Sequence, residues 1–351
     1  MMLQGHFIDT LLAIEYRDPD NIAYSTWLYF RGITAPVFFT ISGLIFTYLL
    51  IKAKEKGTLS IRIRKGLVRG LMLIGIGYAL RIPIFRWLTG KFGTYFMVID
   101  VLQCIGLSLI LIVCIYLLAR KKTLIFSVVM LCLGTLIFLF EPLFRTYSAE
   151  RIPLFFANYL TKVNGSVFTI LPWFGYMAYG AFIATLFYGY LTRPKFKTGL
   201  ITGFFVTGLI LVYGSTPVFL ELAKLINWTL LTEVANFNYL FIRLGNVLVI
   251  FGLFYAFEDY LKHPVVLKIG QKTLSIYVIH FILLYGSFTG LGLNQILGKV
   301  LTPFEVVFGA ICFLVTVSLI SIYIIKANTH IYKYIIDKLH YLKSLTKFLN
   351  N

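Results

Sequence analysis

Apolar residues run along this chain in long blocks rather than in alternation. Stretches with few charges lie at about 27–51, 68–87, 95–119, 124–143, 167–191, 199–219, 239–256, 274–290 and 304–325, with a shorter one at 1–14. The longer runs approach or exceed the roughly 20 residues a helix needs to cross a bilayer core. The pattern therefore predicts an all-α polytopic integral membrane bundle of about ten transmembrane helices. It excludes an outer-membrane barrel, whose strands read as alternating segments of about ten residues. The first run is short for a span and starts abruptly, so a truncated first helix is expected.

Composition narrows the class. Of 351 residues, 59% are hydrophobic and 13% charged, against about half and about a quarter in soluble domains. A soluble enzyme on one anchor, a disulfide-stapled secreted module and a disordered scaffold are all excluded. A net charge of +18 would suggest nucleic acid in a soluble protein. Here the basic residues fall between apolar runs, so topology explains them and no nucleic-acid partner is expected.

Those residues gather in alternate connectors: Lys52, Lys54, Lys56, Arg62, Arg64 and Lys65; Arg120 to Lys122; Arg193 to Lys197; Lys262 to Lys272; and Lys326 onward. By the positive-inside bias both termini face the cytoplasm and the chain crosses ten times. Residues 1–325 then form one membrane domain. Residues 326–351, with Lys among Ile, Tyr and Leu, form a basic amphipathic tail suited to an anionic inner leaflet. The opposite connectors 141–165 and 220–238 can grip an extracytoplasmic acceptor. Cys104, Cys114, Cys132 and Cys312 lie in apolar runs without ligand spacing, so they read as small hydrophobes and no metal is expected.

Ionisable groups in lipid cost several kcal/mol unless paired or set in a watery cavity, which makes each a candidate. His6 and Asp9 stand three apart, on one face of a helix. A carboxylate beside an imidazole fixes its tautomer and raises its basicity, as a general base or acyl-accepting nucleophile requires; the same pair can equally serve only to satisfy each other in packing. His280, in an apolar helix, needs a partner from another helix, whether for catalysis or as a structural hydrogen bond. Arg31, Arg81 and Asp100 fall at similar depth toward the outer side and read first as an ion-pair cluster. Arg243 is more isolated and is expected to face a cavity. Trp173, between Pro172 and Gly175, reads as packing. No GxGxxG, Walker, HExxH or GxSxG motif occurs.

Several segments together resemble a known family. Gly5-His6-Phe7-Ile8-Asp9, then Arg31-Gly32-Ile33-Thr34-Ala35-Pro36 through Ser42-Gly43, resemble the opening of heparan-α-glucosaminide N-acetyltransferase-like membrane proteins and related transmembrane acyltransferases. Asp100 to Gly106 (with Gln103), Pro172-Trp173-Phe174-Gly175, and Gly270-Gln271 through His280 resemble later segments of such bacterial proteins.

The resemblance implies a bacterial inner-membrane enzyme that takes acetyl from cytoplasmic acetyl-CoA and passes it to an amine or hydroxyl, often of a sugar, across the membrane. His6 matches the family's first-helix histidine, implied in acyl transfer. An arginine that precedes this histidine in related acyltransferases is absent. Arg62, Arg64, Lys65 and Arg69 are candidates for the coenzyme's phosphates, although the positive-inside bias already accounts for them. A transporter using His6, Asp9 and His280 as a proton relay is the alternative; no clear internal duplication supports it. A non-catalytic remnant is a third.

Overall fold

The computed structural model describes residues 1–323; the expected amphipathic tail, 326–351, lies outside the described residues. Apart from one isolated parallel bridge between Leu12 and Leu301, no strand pairing occurs among the described residues. The principal helices are α1 (Met2–Leu11), α2 (Ile22–Glu55), α3 (Leu59–Ala79), α4 (Val101–Leu118), α5 (Thr123–Leu139), α6 (Ile170–Tyr190), α7 (Phe196–Ile226), α8 (Tyr239–Ala256), α9 (Pro264–Gln271), α10 (Thr273–Tyr285) and α11 (Pro303–Tyr323).

Each predicted apolar run carries a helix. By length and apolarity, six stretches can cross a membrane: α2, Thr94–Leu118 (which ends with α4), α6, α7, α8 and α11. The pair α9 and α10, bent by 65° at Lys272, makes a seventh if counted as one span. Helix α5 is apolar but shorter.

Boundaries moved for identifiable reasons. The run expected to end at 143 stops at Leu139; Pro142, which has no N–H to continue the ladder, lies in a separate short helix, Glu141–Arg145. The run expected from 68 begins at Leu59 instead. Arg62, Arg64, Lys65 and Arg69 therefore sit on a helix rather than in a connector. Helix α7 is continuous to Ile226 through one π turn at Ile210–Gly214. Helix α10 ends at Tyr285 because Gly286 takes a left-handed conformation at φ +67, as a C-terminal glycine commonly does.

The chain folds as two compact units. In the unit of residues 20–259, α2 packs on α6, α3 on α4, α5 on α6, and α7 on α8. Small residues let these backbones approach, which is how helices associate where lipid removes the hydrophobic drive. A methyl group on Gly43 would meet the Met177 carbonyl, and one on Gly180 the Thr40 carbonyl, so α2 and α6 touch backbone to backbone. Gly70 with Gly106, and Gly208 with Gly245, repeat the device in the other two pairs. One end of this unit is marked by Lys54 Nζ donating to the Lys121 carbonyl at 2.8 Å and Lys197 paired with Glu258 at 2.7 Å. At the other end the 97–100 segment is pinned by Asn158 Nδ2 donating to the Met97 carbonyl and Ser166 Oγ accepting from Ile99 N.

Among the described residues, the second unit comprises residues 1–19 and 260–323. Here α1 is fastened to the approach of α11: Ala13 N donates to the Leu301 carbonyl and Leu301 N to the Leu11 carbonyl, each at 3.0 Å. Arg17 donates to the Asp9 and Leu12 carbonyls at 2.8 Å, closing groups that a helix C-terminus leaves open. Phe7 packs on Phe313 at 5.2 Å between ring centroids and fills the space over Gly309.

Candidate active site

In the second unit α1 and α10 bring two histidines together. His6 and His280 stack with centroids 5.3 Å apart and 23° between planes. His280 is fully buried and His6 half-buried. The Tyr285 hydroxyl lies 3.2 Å from His6 Nδ1, with the rings edge-on. His280 Nδ1 lies 3.3 Å from its own helix's Ile276 carbonyl, and Tyr277 meets its ring edge-on at 5.0 Å. Tyr277, Phe281 and Tyr285, at i, i+4 and i+8, form one aromatic ladder along α10, as side chains four apart on a helix must. Asp9 is half-buried one turn beyond His6.

Sequence reasoning thus chose both histidines but missed Tyr285. That residue sits in an apolar run and reads there as an interfacial aromatic. Only the pairing of α1 with α10, 279 residues apart, reveals it.

The other candidates lie in the unit of residues 20–259. Arg81 Nη2 and Asp100 Oδ2 form an ion pair at 2.8 Å, with side chains 7% and 15% exposed. Asp100 also caps α4, and Gln103 completes the capping box by accepting from Asp100 N. Gln103 is fully buried. These three therefore build the junction of α3 and α4. Trp173 is buried among Phe39, Phe168 and Tyr176, just after a cis Leu171–Pro172 bond. Arg243 is not isolated as expected: its guanidinium lies over the Tyr239 ring at 5.2 Å and against Gly32, because α8 packs beside the first turns of α2. Arg31 is half-buried on α2.

On α3, Arg62, Lys65 and Arg69 share one face by their spacing, and Arg64 points elsewhere. Arg64, Lys65 and Arg69 are exposed, while half-buried Arg62 lies over Phe46 at 5.8 Å. Among the described residues no group of three His, Cys, Asp or Glu side chains is placed to hold a metal.

Glu141, in the connector 141–165, is a further residue that its local pattern does not single out. It is 6% exposed, accepts from the Tyr239 hydroxyl at 3.2 Å and has Arg145 at 3.9 Å. Burial pushes its carboxyl above the ordinary range, against the opposing pull of Arg145, Tyr239 and Lys162.

Comparison with known families decides the class. Residues 1–223 match the family described as heparan-alpha-glucosaminide N-acetyltransferase, catalytic. The chain belongs to this N-acetyltransferase family. The match includes His6, Asp9, Arg31, Arg81, Asp100, Gln103, Trp173 and the basic face of α3; it stops before Arg243, His280 and Tyr285. No curated protein and no solved structure matches the chain. Family membership together with the apolar helices makes this a multi-pass membrane protein of an acetyltransferase family.

Proposed function

We propose that the chain is a membrane acetyltransferase that moves acetyl from cytoplasmic acetyl-CoA to an amine or hydroxyl of an extracytoplasmic sugar acceptor, with His6 as the reacting group. The observation that carries this reading is the His6 contact with Tyr285 and His280. A proton on His6 Nδ1, donated to the Tyr285 oxygen, puts the ring's lone pair on Nε2. That nitrogen can then take the acceptor's proton, or attack the thioester carbon, forming the N–C bond of an acetyl-imidazolium as the C–S bond breaks and coenzyme A leaves as the thiolate.

The stacked His280 supports the same role. Two charged imidazoles 5.3 Å apart would repel by about 3 kcal/mol at an effective dielectric of about 20. The stack therefore disfavours charging both rings together. Asp9 acts on α1 as a further polar support.

Ten crossings with both ends cytoplasmic, in a bacterial inner membrane, suit the distribution of basic residues. With that orientation the Lys54 and Lys197 end faces the cytoplasm. Arg62, Lys65 and Arg69, on one face of α3 at that end, would hold the coenzyme's phosphates.

The test is acetyl transfer by the purified chain with labelled acetyl-CoA, comparing wild type with His6→Ala. Loss of thioester consumption in a variant that still melts cooperatively is expected. Full activity without His6, or solute flux in proteoliposomes that needs no coenzyme A, would end this reading.

A further inference from the structure

At the end of the 20–259 unit opposite Lys54, a recess is lined by Glu141, Asn238 and apolar side chains that include Phe138, Phe237 and Phe241. It encloses about 10 Å³, the space one water-sized group occupies. Glu141 and Asn238 are each 6% exposed. They are the two polar side chains of its lining.

Asn238 Nδ2 donates to Ser215 Oγ at 2.6 Å and to Thr216 Oγ1 at 3.0 Å. The Ser215 hydroxyl proton is already given to the Leu211 carbonyl, so Ser215 can only accept from Asn238. This fixes which way the amide points, since the hydrogen-bond network is what tells an amide's oxygen from its nitrogen. Asn238 Oδ1 is therefore a buried acceptor with no hydrogen-bond partner among the described residues. Buried acceptors are normally matched by a donor. Glu141, held by Tyr239 and beside Arg145, contributes further acceptor oxygens.

The donor that fits is neutral. Arg145 adjoins Glu141, and Arg243 lies over the ring of Tyr239, which donates to Glu141, so an ammonium group would meet two positive charges against one carboxylate. Phe237 lines the recess and is 53% exposed, which sets an apolar aromatic surface beside hydrogen-bonding oxygens. Sugars offer both partners, a C–H face and a hydroxyl edge, and binding sites commonly combine apolar walls with a few placed polar groups.

We infer that this recess takes one neutral hydroxyl of a sugar acceptor, with Glu141 and Asn238 Oδ1 sharing its single proton as a bifurcated hydrogen bond and Phe237 bearing on the ring. The sugar class rests on the acetyl-acceptor reading above; the choice of hydroxyl over ammonium rests on the recess.

The experiment is binding of methyl glucoside and its four monodeoxy analogues to the purified full chain, followed by thermal shift across a concentration series. One deoxy analogue is expected to bind about tenfold more weakly than the parent, as when a site built for a hydroxyl loses it. In Glu141→Ala and Asn238→Ala that discrimination disappears. If Asn238→Ala does not fold, Glu141→Ala alone carries the comparison. Absence of binding by all five sugars, equal binding of all five, or discrimination that survives in both variants overturns the inference. His6-dependent consumption of acetyl-CoA, measured on the same preparations, separates outcomes: if it persists, only the recess assignment fails.

Discussion

The Tyr285 hydroxyl stands 3.2 Å from His6 Nδ1, close enough to hold the ring in one orientation and one tautomer. A group that holds a catalytic imidazole in one tautomer acts through it rather than on substrate. Tyr285→Phe is expected to lower the turnover of acetyl-CoA by about tenfold or more, within the range general-base positioning supplies. Its melting temperature should stay close to wild type, because Tyr285 is half-buried and the ring is retained. Turnover equal to wild type would remove Tyr285 from the site.

His280 separates packing from chemistry by two substitutions. It is fully buried against His6 and Tyr277, so His280→Ala leaves a cavity and is expected to destabilise by about 2–4 kcal/mol, as large-to-small core changes do. His280→Phe keeps a ring of similar size. If His280 acts on His6 electrostatically, the Phe variant should melt near wild type yet show an altered pH dependence of turnover. An unchanged pH profile would leave His280 with a packing role only.

How much of this was visible in the sequence follows from the range of each interaction. The apolar runs are local, and every one contains a helix. The Asp100 and Gln103 capping box is equally local, three residues apart, and went unread, whereas the ion-pair reading of Asp100 is met by Arg81. His6 and His280 were singled out because ionisable groups in apolar runs are rare. Tyr285 and Glu141 were not: a tyrosine near a span end matches the aromatic belt, and a glutamate before proline matches a loop. Their significance comes from contacts made by residues far away in sequence, His6 for one and Tyr239 for the other. The expected isolation of Arg243 failed for the same reason, since its neighbours Gly32 and Tyr239 depend on how α8 meets α2.

The glycine pairs give a sharp contrast. At Gly180 an added methyl would run into the Thr40 carbonyl, a backbone atom that cannot step aside. Gly180→Ala is expected to cost about 1–3 kcal/mol, the usual range for overpacking. Gly203, on α7, has open space where the methyl would go. Gly203→Ala should therefore be neutral or stabilising by about 0.5–1 kcal/mol through helix propensity. Thermal melts of the two variants in one detergent decide it, and equal shifts would mean α2 and α6 are not in backbone contact.

Arg81 and Asp100 predict an asymmetry of another kind. Both side chains are largely buried, so removing one leaves the other's charge without its partner, at a cost of about 3–5 kcal/mol. Arg81→Met should be strongly destabilising. Arg81→Met combined with Asp100→Asn, which retains a side-chain oxygen to cap α4, should recover much of the loss. A double variant as unstable as the single one would show that the pair contributes through something other than charge compensation.

Glu141 supplies the pH dependence. Burial raises its carboxyl above the ordinary value of 4.5, so the folded state holds the proton more tightly than the unfolded chain does. By linkage, that contribution favours folding below the unfolded pKa and is lost as pH rises through the higher folded pKa. At pH 7.5 the wild type carries the penalty of a buried carboxylate, which Glu141→Gln removes while keeping the side chain's shape. The variant is expected to melt at or above the wild-type temperature at pH 7.5, and any advantage should shrink as pH falls toward 4.5, where wild type is protonated too. A variant less stable than wild type at neutral pH, with the gap closing in acid, would mean instead that the ionised carboxylate is held favourably by Arg145 and Tyr239.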